Sequence, residues 1–113
     1  MATDCLFCRI VRKEIPASVV AENEQCLAFG DINAQAPTHV LVIPRHHVAS
    51  LNDVNDLSVV AELFAMAAQI AKSEGFAARG YRTVINTNDD GGQTVHHLHL
   101  HILAGRRMTW PPG

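Results

Sequence analysis

Polar and apolar positions change rhythm along the chain, and each rhythm predicts an element. Residues 5–14 place Leu6, Phe7, Ile10 and Val11 on a helical stripe. Ile15-Pro16 ends that short helix, because the residue before a proline is driven toward extended geometry. Two short apolar runs, 19–21 and 26–29, predict strands with a turn at Asn23 and Glu24, and Cys26 belongs to the core in this reading. Residues 30–37 read as a loop. Residues 38–43 form a stronger strand that Pro44 closes. One long helix is expected over 52–74, capped by Asp53 or Asn55 and ended by Gly75. Leu57, Val60, Ala61, Phe64, Ala67, Ala68 and Ala71 fall at helical spacing along it. A strand over 81–86, a turn at 89–92 and a strand over 95–103 follow, with a tail over 105–113. Short strands, short turns and one long helix predict an α+β domain with a mainly antiparallel sheet.

The last strand carries the most distinctive pattern. From His97 to His101, histidine and leucine alternate strictly, and Ile102 and Leu103 follow. A period of two puts Leu98, Leu100 and Ile102 on one face and His97, His99 and His101 on the other, with the rings roughly 7 Å apart. A polar strand face is ordinarily filled with residues such as threonine, so a row of imidazoles points to chemistry. Near neutral pH imidazole serves as nucleophile, proton carrier or metal ligand. His99, in the middle, is the candidate nucleophile, with its neighbours orienting it or holding substrate oxygen. Just upstream, Gly91 and Gly92 let backbone N–H groups approach an anion, and Gln93 and Thr94 add side-chain donors. His39 reaches the same pocket if its strand neighbours the histidine strand. Asn86 is a candidate donor to phosphate or ribose, and Asp31 an acceptor from ribose hydroxyls.

Cys5-x-x-Cys8 is a separate constellation with half the ligands of a tetrahedral zinc site. His46, His47 and His97 are candidates for the other half, and two thiols packed as small apolar groups are the alternative.

Composition narrows the field. The chain has 113 residues, 48% of them hydrophobic, which suits one domain over 1–113 with a core that needs no disulfide. A formal net charge of −2 supplies no basic field for a nucleic-acid backbone, so an anionic substrate must be held by local donors. No segment reaches the length of a membrane span, and residues 1–5 show no secretory n-region. Three cysteines are not a disulfide framework, which makes a reducing cytoplasm the expected compartment.

These features together resemble the histidine triad (HIT) family, whose motif alternates histidine with apolar residues as residues 97–103 do. Cys5-Leu-Phe-Cys8, Glu14-Ile-Pro16, the stretch from Gln35 to Pro44, Gly91-Gly92-Gln93 and the ending Trp110-Pro-Pro-Gly113 are similar to its Hint branch, the histidine triad nucleotide-binding proteins. The resemblance implies a five-stranded sheet with one long and one short helix, the sheets of two subunits joining in a homodimer. It implies hydrolysis of nucleoside phosphoramidates, chiefly adenosine 5′-phosphoramidates and aminoacyl-adenylates, through a nucleotidyl group carried on His99. His101 would contact phosphate oxygen, and His39 would act with the triad in proton transfer to the leaving amine. Asn86, Gly92, Gln93 and Thr94 would surround the phosphate. Asp31 and Ile32 would lie around the ribose and base, and Trp110 would reach toward the partner's site. Some bacterial relatives bind zinc with residues matching Cys5, Cys8, His47 and His97. Catalysis would need no cofactor. Thr94 stands where many members have serine, and His96 where an aromatic residue is usual.

Three other readings compete with this one. The first is a purine-nucleotide-binding regulatory protein. The second is a dinucleoside polyphosphate hydrolase, against which the short chain and the Trp-Pro-Pro-Gly ending speak. The third is a catalytic zinc hydrolase, and three histidines spread over roughly 13 Å of straight strand do not converge on one ion.

Overall fold

The computed structural model describes residues 4–113. Met1–Thr3, part of the segment that shows no secretory signal, lie outside the described residues. The elements follow one another as α1 (Leu6–Val11), β1 (Val19–Glu22), β2 (Cys26–Gly30), β3 (Thr38–Pro44), α2 (Ser58–Ser73), β4 (Arg82–Val84), α3 (Asn88–Gly91) and β5 (Leu100–Ala104). The strands form one antiparallel sheet in the order β1-β2-β3-β5-β4. The long link between β3 and β4 carries α2 across one face, which lets β5 return between them.

Alternation along the central strands makes two apolar layers. Val40, Val42, Leu98, Leu100 and Ile102 pack against Leu63, Met66, Ala67 and Ile70 of α2. Leu27, Phe29, Leu41 and Ile43 face the other way and are covered by Phe7 of α1. The register sets Leu41 opposite His101 and His39 opposite Leu103, so His39 and His101 sit diagonally on the α1 side. β3 is therefore the neighbour that the histidine strand needed. Cys26 is fully buried, as expected for core, and burial pushes its thiol up to about 11.

Four details depart from the sequence reading. The long helix begins at Ser58, not near residue 52. Ser50 claims the expected cap Asp53, donating to its Oδ2 at 2.9 Å, and starts a separate 3-10 turn over Leu51–Asp53. Asp56 then holds the Ser58 N–H at 3.0 Å. Second, the buried face of α2 is Leu63, Met66, Ala67, Ile70 and Ala71, whereas Leu57, Ala61 and Phe64 are exposed. The helix carries two apolar stripes, and periodicity cannot say which one meets the sheet. Third, regular pairing in the histidine strand starts only at Leu100, and β4 is limited to Arg82–Val84. Upstream of β5, Leu98 N–H bonds to Val48 O at 2.7 Å and not to a strand neighbour. Fourth, the expected turn at 89–92 is a single helical turn, α3, closed by Gly92 in the left-handed region (φ 83°). Among the described residues no helix is long and apolar enough to cross a membrane.

Candidate active site

A cavity of about 460 Å³ opens between α1, the 30–35 loop and the α1 side of the sheet. Leu6, Phe7, Ile10, Phe29 and Leu41 make an apolar wall. Asp31, His39, Thr94, His99 and His101 supply the polar groups, and exposed Ile32 stands at the rim. An apolar slot beside a few convergent polar groups is the usual composition of a small-molecule site.

Hydrogen bonds to the backbone assign the ring nitrogens. His99 Nδ1 lies 2.7 Å from His97 O, so Nδ1 carries the proton and Nε2 keeps the lone pair. Gln35 N–H donates to His39 Nδ1 at 3.0 Å, so His39 is protonated on Nε2. That Nε2–H reaches His101 Nδ1 at 2.9 Å, with Asp31 Oδ2 3.4 Å away. His101 Nδ1 therefore accepts, and its Nε2 is the donor. One carbonyl and one amide thus fix an unprotonated nitrogen on His99 and an N–H on His101. Their rings lie 4.9 Å apart between centroids, closer than the straight-strand spacing because His99 precedes the paired part of β5.

Burial decides the charge state. It lowers the pKa of His39 and His99, opposed in both by the Asp31 carboxylate, and for His99 also by its bond to His97 O. His101 falls to about 4 through burial and then through the neighbouring His99 and His39. Near neutral pH the three rings are neutral imidazoles.

His97 does not line the cavity. Its ring is fully buried on the other side of Phe7, which contacts His97 and His99 edge-on at 5.9 and 5.2 Å. There it meets Cys5 Sγ at 3.3 Å and Cys8 Sγ at 3.5 Å, and Cys8 Sγ lies 3.5 Å from His47 Nδ1. His97, expected on the same strand face as His99 and His101, serves the cavity through its carbonyl and the thiol cluster through its ring.

The four potential ligand atoms of that cluster lie within 4.8 Å of one another. A tetrahedral zinc with Zn–S of about 2.3 Å and Zn–N of about 2.0–2.1 Å sets S···N edges of about 3.5 Å, so the cluster fits the ion. His97 Nε2–H donates to Pro44 O at 2.9 Å, which leaves Nδ1 as the lone pair facing the sulfurs. Burial is the main cause raising the Cys8 thiol, followed by its contact with Cys5, and it points to a protonated thiol in the absence of a cation.

Other expected site residues lie elsewhere. Gly92 and Gln93 spend their N–H groups closing α3, on Asp89 O and Asn88 O, each at 3.0 Å. The Gln93 side chain is buried and wholly committed: Oε1 accepts from Asn88 N–H at 2.9 Å, and Nε2 donates to Ala49 O and Val95 O. It is a strut for the loop and not a free donor. Asn86 and Gly92 do not border the cavity, and Trp110 is exposed on the tail. Of the loop before the triad, Thr94 and Val95 reach the cavity. Sequence reasoning missed the apolar wall, where the stripe of α1 was the available signal, and the Gln35 amide, which leaves no trace in residue type.

Comparison with known proteins agrees with this geometry. The HIT domain model matches residues 12–108. The chain is 48% identical over 115 residues to an uncharacterized HIT-like protein of Synechococcus elongatus, all of both chains being covered. It is 44% identical over 110 residues to the purine nucleoside phosphoramidase of Escherichia coli K12, covering 96% of this chain and 92% of that one. Among solved structures, a HIT family hydrolase from Legionella pneumophila matches with a TM-score of 0.93 and 54% identity, over 96% of this chain and 99% of that one. A histidine triad protein from Clostridium difficile matches with a TM-score of 0.94 and 43% identity, over 96% of each. With the matched segment running from the residue after α1 past the last strand and the histidines in place, this chain belongs to the HIT family.

Proposed function

We propose that the protein hydrolyses nucleoside phosphoramidates, adenosine 5′-phosphoramidates above all, and the related acyl-phosphate anhydrides of aminoacyl-adenylates, through a covalent nucleotidyl intermediate on His99. The observation that carries this reading is the bond from His99 Nδ1–H to His97 O, which presents Nε2 as a neutral nucleophile in the cavity. The purine or other base lies along the wall of Phe7, Phe29 and Leu41, and Asp31 accepts from the ribose. His99 Nε2 attacks the α-phosphorus, and the bond to the leaving group breaks: P–N in a phosphoramidate, releasing the amine, and P–O in an aminoacyl-adenylate, releasing the carboxylate. His101 Nε2–H donates to phosphoryl oxygen, where charge develops. The anionic phosphate raises the pKa of the imidazoles it meets, so the complex takes up the proton that leaves with the amine. Water then attacks the phosphorus and releases the nucleoside monophosphate and free His99. The name of the Escherichia coli relative supports the substrate class. Turnover of an adenosine phosphoramidate bearing a fluorescent amine tests the reading, with mass spectrometry of the quenched enzyme to detect the nucleotidyl adduct. Nucleotide binding without turnover would replace it with the regulatory reading.

Cys5, Cys8, His47 and His97 hold zinc in this proposal, and the ion ties α1 to the segment before β5. Its chemistry there is structural, and no step of the reaction passes through it. Zinc at tenfold excess over its dissociation constant is expected to add ~1.4 kcal/mol, about 5 °C in melting temperature. Cys8→Ser removes that shift, and chelator leaves turnover unchanged. Calorimetry with and without the metal reads the first effect, and the fluorescent assay the second.

The exposed stripe of Leu57, Ala61 and Phe64 supports a homodimer, since an apolar helix face in water favours association. The exposed Trp110, away from its own chain's cavity, fits a role at the partner's site. Phe64→Glu is expected to convert the protein to monomer at micromolar concentration, as sedimentation velocity reports.

A further inference from the structure

The backbone of Gln35 is held on both sides of its Cα. Its N–H donates to His39 Nδ1 at 3.0 Å, and its carbonyl accepts from Arg106 Nε at 3.1 Å. Arg106 lies two residues beyond the end of β5, and its Nη1 also bonds to Arg107 O at 3.3 Å, which steadies the guanidinium. Among the described residues no carboxylate pairs with it, so its charge is not diverted from the carbonyl. A second contact joins the same two segments. Gly105 has φ 94°, and a Cβ placed on it would lie 2.8 Å from Pro37 Cβ. Only glycine lets the chain leave β5 this close to the loop.

We propose that Gly105 and Arg106 form a clamp that holds the Gln35 amide on His39 and so fixes which way the His39–His101 hydrogen bond points, making Arg106 a positioning residue. The proposal rests on the reading of the histidine cavity as a catalytic centre. Direction matters because an imidazole pair has two arrangements. With Gln35 N–H on His39 Nδ1, His39 donates to His101, and the outer nitrogen of His101 carries hydrogen. With that amide withdrawn, His39 can move its proton to Nδ1. His101 then donates from Nδ1, and its outer nitrogen becomes a lone pair. A lone pair facing a phosphoryl oxygen repels it, whereas an N–H stabilises the charge developing there. The 31–37 segment is a surface loop between β2 and β3, the kind of chain that moves unless it is tied down. A charged donor on the Gln35 carbonyl restrains the backbone of that residue and so keeps its N–H, one Cα away, aimed at His39.

Nitrogen-15 NMR of histidine-labelled protein reads the tautomer directly, with His39→Asn assigning the signals. In wild type His39 is expected as the Nε2–H form. In Arg106→Ala it becomes a mixture of both forms, and kcat falls roughly tenfold while KM moves less than about twofold, the mark of a misplaced group and not a lost contact. Arg106→Lys, which keeps a charged donor, restores most of both. Gly105→Ala pushes the loop away without touching the charge and shifts the tautomer in the same direction. An Arg106→Ala protein with His39 still wholly in the Nε2–H form overturns the proposal, whatever its turnover. A shifted tautomer with unchanged kcat overturns it as well. If wild type fails to cleave phosphoramidates, the phosphoramidase reading fails, and the tautomer measurement alone decides the clamp.

Discussion

Replacing His99 with glycine is expected to lower phosphoramidate turnover by about 10⁴-fold or more, with nucleotide binding retained. In the proposed reaction the nucleophile is the one group for which no neighbour can substitute. His101 and His39 are bonded to each other with their lone pairs occupied, and His97 lies behind Phe7 with its ring turned to the thiols. The His99 ring is buried against Phe7, so glycine leaves a hole shaped for an imidazole. Free imidazole added to the His99→Gly protein is therefore expected to restore part of the turnover in a saturable way. The fluorescent-amine assay, run beside circular dichroism to verify folding, measures both effects. Full activity without His99 would exclude the covalent route. Loss of activity with no rescue and no nucleotide binding would mean that the substitution had collapsed the cavity.

The placement of the histidines could be read from the sequence because it follows one strand's alternation. Leu98, Leu100 and Ile102 do enter the α2 layer, and His99 and His101 do face the cavity. The His39 partnership followed once β3 and β5 were neighbours, and the Cys5, Cys8, His47 and His97 group, which the family resemblance implied where spacing alone left His46 open, has its ligand atoms together. What stayed hidden belongs to the backbone. The acceptor for His99 is a carbonyl and the donor to His39 an amide, and neither depends on which side chain sits there. Gln93 shows the same limit from the other side. A polar side chain after two glycines reads as a ligand donor, yet three backbone groups around it, Asn88 N–H, Ala49 O and Val95 O, needed partners and claimed it. On α2, Leu57 and Phe64 share a stripe as regular as the buried one, so period alone could not choose the face.

Acid is expected to destabilise the fold well above the range in which carboxylates protonate. His101 has its pKa lowered from 6.5 to about 4, first by burial and then by His99 and His39, and burial lowers His39 too. Between these values the unfolded chain binds protons that the folded chain refuses, so stability declines as pH falls from about 6.5 toward 4 and is flat above that window. A full shift of this size would be worth about 3 kcal/mol. The partly accessible ring of His101 reduces that to about 2 kcal/mol. Glu14 and Asp56 also have lowered values, from Arg12 and from the Ser58 N–H, but their contributions are lost only lower on the pH scale. Urea unfolding of chelator-treated protein between about pH 7.5 and 5, wild type beside His101→Gln, isolates the imidazole. The variant is expected to show a shallower slope, and equal slopes would place His101 in a more open setting. A bound phosphate changes the sign of the problem, since an anion favours the protonated ring. A nucleoside monophosphate should therefore bind with proton uptake and raise the melting temperature more near pH 6 than near pH 8. A shift independent of pH would mean that the phosphate does not face the histidines, and the site would have to be turned around.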